Sequence, residues 1–451
     1  MKTNLKIIGV LLMSVFSMAL LAEETTNPPK VITLKEAIEL ALKNNLEIKA
    51  ESFKAPIAAT DLTLIRGELF PKISASAGVG PINGKKGSPV SYQDTSTWGA
   101  EWIASIEAKI PLYVWGRGED LKHAARLNTE INQLDVTKKQ NEIIYKLKEA
   151  YYGHQYALSL LDFVSETQKD LEQAITALED KKNGKKEDVL RLEVFKYQVQ
   201  EKKIEIEKTV NLAKMGVAFY LGENFKLEQG TRFQNEREWI EMDQRDLREF
   251  NYYLERMQSH FPDILKVGKG ILAKSDLLLS EKKSERPYFG ALVKYDYAYT
   301  NQRTAQKNPF IYDAYNHSSV ALGVGLIWDI DFGVKQSKID KLVLEIAELK
   351  SKELYANEGL KVLLRKSYLE VQEAKDRSDA LKNAYKSAKK WLTNIGASVS
   401  LGLTPAKDIV DAYTTRALVY KDYYESLYRY HMAWANLSSA TGVEVDPLLV
   451  K

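Results

Sequence analysis

The chain is written twice, and no other feature of the sequence limits its architecture as much. Pro71 and Pro287 each end a helix-like run and open a strand-like one, about 216 positions apart. Gly116 and Gly333 each close a second strand-like run at nearly the same offset. Leu147-Lys148-Glu149-Ala150-Tyr151 answers Leu364-Arg365-Lys366-Ser367-Tyr368, and Gln155 and Ala157 answer Gln372 and Ala374. Farther on, Gly184 with Asp188-Val189-Leu190 answers Gly402 with Asp408-Ile409-Val410, and Gly222 and Gly442 close the halves. A nearly constant offset along the chain marks a tandem duplication, and the period is far too long for a solenoid. Each half (31–222 and 243–442, joined by a polar stretch 223–242 and followed by a tail 443–451) reads helix, strand, strand, very long helix, turn, return helix.

The strand-like runs alternate with period two, which sends successive side chains to opposite faces. From Trp98 to Ile110 the even positions Trp98, Ala100, Trp102, Ala104, Ile106 and Ala108 are apolar, while Glu101, Ser105, Glu107 and Lys109 share the odd set. Ile73, Ala75, Ala77 and Val79 alternate with Lys72, Ser74 and Ser76. Val293, Tyr295, Tyr297 and Tyr299 oppose Lys294 and Asp296, and Val320, Leu322, Val324, Leu326, Trp328 and Ile330 oppose Ser319, Gly323, Gly325 and Asp329. The predicted strands, about 72–80, 98–110, 288–299 and 318–331, have the length of tilted membrane-spanning strands, with Trp98, Trp102, Trp115, Tyr299 and Trp328 near their ends where barrels carry aromatic girdles. In that reading Trp98, Trp102, Ile106, Tyr295, Tyr297, Leu322 and Trp328 face lipid. The other reading of the same alternation is a soluble antiparallel sandwich with one wet face. Four strands cannot close a membrane barrel, whose smallest form has about eight, and an open edge is excluded from lipid. If these strands enter a membrane, several chains must share one barrel, and three chains would give twelve strands.

The helical runs exceed what one globular core needs. From about Arg117 to Lys182 there is no proline, and about 66 residues at about 1.5 Å each span roughly 100 Å. Leu147, Tyr151, Leu158 and Leu161 recur at near-heptad spacing, as a coiled coil requires. The second copy runs over about 335–393. Return helices are predicted over 188–221 and 405–441, Pro405 suiting a first turn. Thr33 and Glu36 form a capping box for a helix over 34–43, and Pro56 predicts a kink or boundary in the helix after it.

The first residues read as an address label. Lys2 and Lys6 precede an apolar run from Ile7 to Leu21, followed by small residues suited to cleavage, so 1–22 is expected to be a secretory signal peptide, an uncleaved anchor being the alternative. With 64 Lys and Arg against 61 Asp and Glu, the charge carries no footprint for nucleic acid. The chain has no cysteine, which excludes disulfides, thiolate metal sites, a cysteine nucleophile and lipid attachment through an N-terminal cysteine. His123, His154, His260, His317 and His431 show no ligand spacing, and no Walker loop or nucleophile motif is present, so neither an enzyme nor a cofactor or metal is expected.

These motifs, in this order, resemble the outer-membrane efflux protein family, the trimeric exit ducts of Gram-negative export systems. Ile32-Thr33-Leu34-Lys35-Glu36-Ala37 with Asn44-Asn45-Leu46-Glu47-Ile48 is similar to the family's opening motif, and Leu69-Phe70-Pro71-Lys72-Ile73 to its helix-to-strand step. Gly184 through Asp188-Val189-Leu190-Arg191-Leu192-Glu193 resembles its first tip turn, and Leu401-Gly402-Leu403-Thr404 through Asp408-Ile409-Val410-Asp411-Ala412 its second. The resemblance covers essentially the whole mature chain. It implies a mainly α fold with a β portion: a homotrimer forming a twelve-stranded outer-membrane barrel on a long periplasmic helical barrel. It also implies passive conduction for an inner-membrane pump of the RND or ABC type, joined through a periplasmic adaptor.

At the tip, Asp408 and Asp411 share one helix face. The resemblance implies that this face lines the periplasmic entrance, where a trimer would stack two rings of three carboxylates; the same acids also complement a helix dipole. Asp188 matches the acid that relatives use in closing contacts, whereas their Arg and Tyr partners are here Thr404 and Val399. Lys181, Lys182, Lys185 and Lys186 crowd the first tip, either as substitutes for those partners or as a solvated turn; Gly184, Gly402, Thr404, Lys185 and Lys186 are the expected adaptor contacts. A different class of protein, a periplasmic coiled-coil adaptor or scaffold without a barrel, would use one helical hairpin rather than two.

Overall fold

The computed structural model describes residues 31–69, 71–88, 91–180, 186–222, 232–233, 245–400 and 403–450. The expected signal segment and nearly all of the expected linker lie outside them, as do Lys181, Lys182, Gly184, Lys185, Leu401 and Gly402.

The first half runs β1 (Val31–Ile32), α1 (Leu34–Asn44), α2 (Leu46–Ser52), α3 (Lys54–Leu69), β2 (Lys72–Gly87), β3 (Tyr92–Tyr113), α4 (Arg117–Glu179) and α5 (Lys186–Leu221). The second runs β4 (Arg232–Phe233), α6 (Phe250–His260), α7 (Pro262–Ser284), β5 (Tyr288–Thr300), β6 (His317–Ile327), α8 (Val334–Ser400) and α9 (Ala406–Thr441), and α10 (Pro447–Val450) ends it. The order repeats, and so do its joints. Both long helices follow an aromatic–glycine pair with positive φ: Trp115 (59°) and Gly116 (76°) before α4, Phe332 (50°) and Gly333 (107°) before α8. Both return helices end on a glycine clamped by the opening helices of their own half. A Cβ on Gly222 would stand 2.6 Å from the Asn44 carbonyl oxygen, and one on Gly442 2.7 Å from the Phe261 Cα. With φ of 107° and 75° as well, both positions require glycine.

The Thr33–Glu36 capping box is present, each side chain meeting the other's backbone N–H. The break expected near Pro56 falls at Phe53, which puts the proline in the first turn of α3, where a missing N–H costs nothing. The paired strands differ from expectation in length. β2 and β3 continue past 80 and before 98 as a polar ribbon whose side chains do not alternate. β6 stops at Ile327 rather than 331, because its partner β5 begins opposite it at Tyr288; beyond it Lys335 Nζ donates to the Asp329 carbonyl at 2.7 Å. In turn α8 runs on to Ser400 rather than 393.

The core sits midway along α4 and α8, where α1 and α6 wrap the long helices. One cluster joins Ala37 and Ala41 of α1 to Ile143, Leu147 and Tyr151 of α4 and Leu221 of α5. The other joins Tyr253 and Met257 of α6 to Leu364 and Val371 of α8 and Trp434 and Leu437 of α9. Between them lies a buried polar knot. The Arg245 guanidinium meets Asp446 at 3.3 Å and His431 Nδ1 at 3.1 Å, and Lys148 Nζ meets Glu444 at 2.5 Å. Glu444 also accepts from the Ser438 hydroxyl and the Asp446 N–H. The segment read as a tail is therefore packed: Val445 and Asp446 are buried.

Candidate functional site

The four long strands form one antiparallel sheet in the order β2-β3-β5-β6. Its register sorts the side chains cleanly. Ala75, Ile106, Tyr295 and Val320 lie in one row across the sheet, and Ile73, Ala108, Val293 and Leu322 in a parallel row on the same face. Val79, Trp102 and Tyr299 continue that face toward the loops. The intervening rows on the other face are polar: Ser76, Ser105, Asp296 and Ser319, then Ser74, Glu107 and Lys294. Lys294 and Asp296 pair at 3.0 Å and Lys109 and Glu107 at 2.7 Å along that face. The alternation within each strand thus adds up across the sheet into one apolar and one polar surface.

Among the described residues nothing covers the apolar surface. Leu322 is 76% exposed, Val324 80% and Trp98 71%, a run of bare apolar side chains of the kind that marks a protein or membrane contact. Ile106, Tyr295 and Tyr297 are exposed beside them. Both outer strands, β2 and β6, have one edge without a strand partner. Aromatic side chains mark two levels. Trp98, Trp102, Tyr297 and Tyr299 stand toward the loop end, and Tyr113, Trp115, Phe289 and Trp328 toward the helix end. Trp102 and Tyr113 are 11 residues apart, which at about 3.3 Å per residue and a tilt of about 45° gives roughly 25 Å, the height of a barrel's apolar band. At the helix end two indoles tie the sheet to the helices: Trp115 Nε1 donates to the Pro287 carbonyl at 2.7 Å and Trp328 Nε1 to the Glu285 carbonyl at 3.1 Å. Trp328, expected inside the last strand, lies one residue beyond it. No described helix is long and apolar enough to cross a membrane.

At the opposite end, Asp408 lies in the first turn of α9, half-buried, and Asp411 one turn on is exposed. The adjoining face of α9 is packed inward: Ile409 and Tyr413 join Leu171 and Ile175 of α4, Leu192 of α5 and Val399 of α8. The two carboxylates therefore point away from the hairpin core, and neither has an ion-pair partner among the described residues. Asp188, in the first turn of α5, is half-buried and likewise has none; Lys186 is exposed and Thr404 half-buried. Val399 is buried in that apolar cluster. Asp188, Asp408 and Asp411 are at one end of the molecule, but no described contact joins them.

A charged contact that the motifs did not reveal lies farther up α9. Arg416, 4% exposed, reaches across to α4, meeting Glu166 at 3.3 Å and Asp170 at 3.7 Å, with its guanidinium over the Phe163 ring. Burial, together with the neighbouring Glu166, pushes the Asp170 carboxyl above its ordinary range. Burial pushes Tyr413 up to about 12. The Arg416 contact links the two hairpins through a buried guanidinium and two partly exposed carboxylates. Its only sequence signal is an arginine at an otherwise inward-facing position.

The histidines are dispersed. His123 pairs with Asp276 at 2.6 Å, and burial holds His154 below its ordinary value beside the Val210 carbonyl. Among the described residues no group of three His, Cys, Asp or Glu side chains is placed to hold a metal ion.

No protein-family model matches the chain. A curated relative, the probable outer membrane lipoprotein SilC of Salmonella typhimurium, is 24% identical over 168 residues, 37% of this chain. The match spans about a third, 35%, of that relative's length. Solved structures match over nearly all of the chain. The channel CusC superposes with a TM-score of 0.73 at 14% identity, covering 91% of this chain and 92% of its own. The Campylobacter jejuni CmeC outer membrane channel gives 0.72 at 13% identity, over 92% and 86%. The open-state Neisseria gonorrhoeae MtrE outer membrane channel gives 0.69 at 14%, over 92% and 89%. The chain therefore has the mainly α fold with a β portion that the resemblance implies, the fold of the outer-membrane efflux channels.

Proposed function

We propose that three copies of this chain form an outer-membrane exit duct, which passively conducts cargo delivered by an inner-membrane RND or ABC pump through a periplasmic adaptor. The observation that carries this reading is the sheet. It has one continuous apolar face, one polar face and two unpaired edges. Pairing β6 of each copy with β2 of the next would satisfy every edge, place lipid against the apolar face and give twelve strands around a polar lumen. The 63-residue α4 and 67-residue α8 would then reach about 100 Å into the periplasm.

At the far end, Asp408 and Asp411 of three copies would ring the entrance and favour cations there. Asp188 would belong to the same mouth. Arg416 with Glu166 and Asp170 is an ionic link between the hairpins above their apolar contact, and the role that relatives give to a tip Arg and Tyr would pass to it. The turns at Gly184, Lys185, Lys186, Gly402 and Thr404 would meet the adaptor. Export by a cleaved signal peptide suits this location. SilC is named a lipoprotein; the sequence of this chain contains no cysteine.

Membrane fractionation tests the reading. The protein should float with outer membranes as a heat-modifiable oligomer and conduct ions in planar bilayers. A coiled-coil adaptor or scaffold would do neither.

A further inference from the structure

Where the sheet meets the helices lies a recess of about 370 Å³ with an unusual charge. Seven of its 18 lining residues are Lys or Arg and two are Asp or Glu. Some of that charge is neutralised locally. Lys109 pairs with Glu107 at 2.7 Å, Lys283 with Asp120 at 2.6 Å and Lys338 with Glu281 at 3.8 Å. Four cations remain, Lys72, Arg117, Arg286 and Lys335, against the single carboxylate of Asp329. Among the described residues no carboxylate lies within ion-pair distance of any of the four. Arg117 Nε donates only to the Ser280 hydroxyl at 3.3 Å, Lys335 Nζ to the Asp329 backbone carbonyl, and Arg286 lies 5.5 Å from the Trp115 ring centroid.

The recess lies at the helix end of the sheet, and its wall takes in Ile110 and Ala291 of an apolar row as well as residues of the polar face. Each strand contributes a residue to it: Lys72, Lys109, Tyr288 and Ile327. The register puts Lys72 opposite Lys109 and Tyr288 opposite Ile327, on the same face as Ser74's neighbouring polar rows rather than that of Ile73 and Val293. In a closed barrel this is the face turned toward the lumen. Val114, Trp115 and Leu121 add apolar surface to the wall beside the cations.

We infer that this recess is a binding station for organic anions: a carboxylate, sulfonate or phosphate seated among Lys72, Arg117, Arg286 and Lys335, with an aromatic or aliphatic body against Trp115, Tyr288 and Ile327. The inference rests on the exit-duct reading for its place in the lumen, but the binding itself does not require conduction. A bare inorganic anion fills little of the recess, whose volume is that of a small-molecule site. Charge-assisted contacts are the strong ones where water is partly excluded, and four unpaired cations facing one space repel each other until an anion joins them. The station lies at the opposite end of the helices from the Asp408 and Asp411 carboxylates, so one conduit would present acids at its mouth and bases at its waist.

The test is calorimetric titration of the purified, detergent-solubilised protein with 2-naphthoate, with the neutral 2-naphthalenemethanol and inorganic phosphate as controls. The inference expects naphthoate to bind at least about tenfold more tightly than either control, the difference a charge-assisted contact makes. The Lys72→Gln/Arg286→Gln variant should lose about tenfold in naphthoate affinity, while Arg286→Lys retains most of it. Equal binding of naphthoate and the alcohol, no binding of naphthoate, or unchanged affinity in the double variant would each overturn the inference. The comparison on the unaltered protein holds even if the double variant fails to fold. A protein that binds naphthoate but passes no ions in planar bilayers would keep the site and overturn the exit duct.

Discussion

The middle of the molecule and its sheet handle apolar surface in opposite ways. Around α1, α6 and the centres of α4 and α8, the large side chains are finished within one chain: Leu147, Tyr151 and Trp434 are fully buried, and even the charges of Arg245 and Asp446 are enclosed and paired. In the sheet, regular alternation has placed Val320, Leu322 and Val324 side by side and left them more than 60% exposed. The same hydrophobic effect that completes the first region makes the second unstable alone in water. On the exit-duct reading, a chain folds its middle by itself, while its sheet is completed by neighbouring copies and by lipid.

Substitutions should separate the two regions. Trp434→Ala empties a site closed within the chain and should cost about 3–5 kcal/mol, seen as a lower denaturation midpoint whether or not the protein is assembled. An effect seen only in the assembled form would erase the distinction. In the sheet, Ala104→Arg on the apolar face should impair membrane assembly, because a cation at mid-bilayer costs about 2–4 kcal/mol per copy. Its neighbour Ser105→Arg, on the polar face, should be tolerated. Equal effects would mean that the faces are reversed or that both are wet.

A smaller effect comes from pH. Burial, and then the charges of Arg245 and Lys148, hold His431 well below its ordinary value of 6.5. Its neutral form fits the folded chain, so its contribution is complete above pH 6.5 and is lost as the pH falls below that, where the unfolded chain takes up the proton first. The loss should approach about 1.4 kcal/mol per pH unit at most, and His431→Gln should flatten it. An identical pH dependence in the variant would show that the knot does not enclose this group. The smallest effect on stability belongs to the tip. Asp408→Asn with Asp411→Asn should leave folding and assembly nearly unchanged while lowering cation selectivity and block by multivalent cations in planar bilayers. Unchanged selectivity would move these carboxylates to the outer surface.

What could be read in the sequence follows the same division. The strands were legible because a period of two survives wherever a face meets a uniform medium, and the long helices because proline is missing from them. The capping box and the closing glycines were legible because each answers a local geometric demand. Three features were hidden because they depend on partners distant in the chain. Arg245, His431 and Asp446 come from three separate segments, and nothing local marks them as one knot. Arg416 looks like any helical arginine until α4 brings Glu166 and Asp170 against it. The basic recess gathers residues from all four strands and three helix ends. The ends of β2, β3 and β6 are not legible in the side-chain pattern, because ladder pairing or a helix start decides how far each strand runs.

The central claim is that one chain holds only part of a barrel. Native mass spectrometry of the detergent-solubilised protein tests it most directly. The account expects a resistant species of three chains that dissociates only together with loss of the sheet's β signal. A single chain that remains folded, retains that signal and inserts into bilayers alone would contradict it.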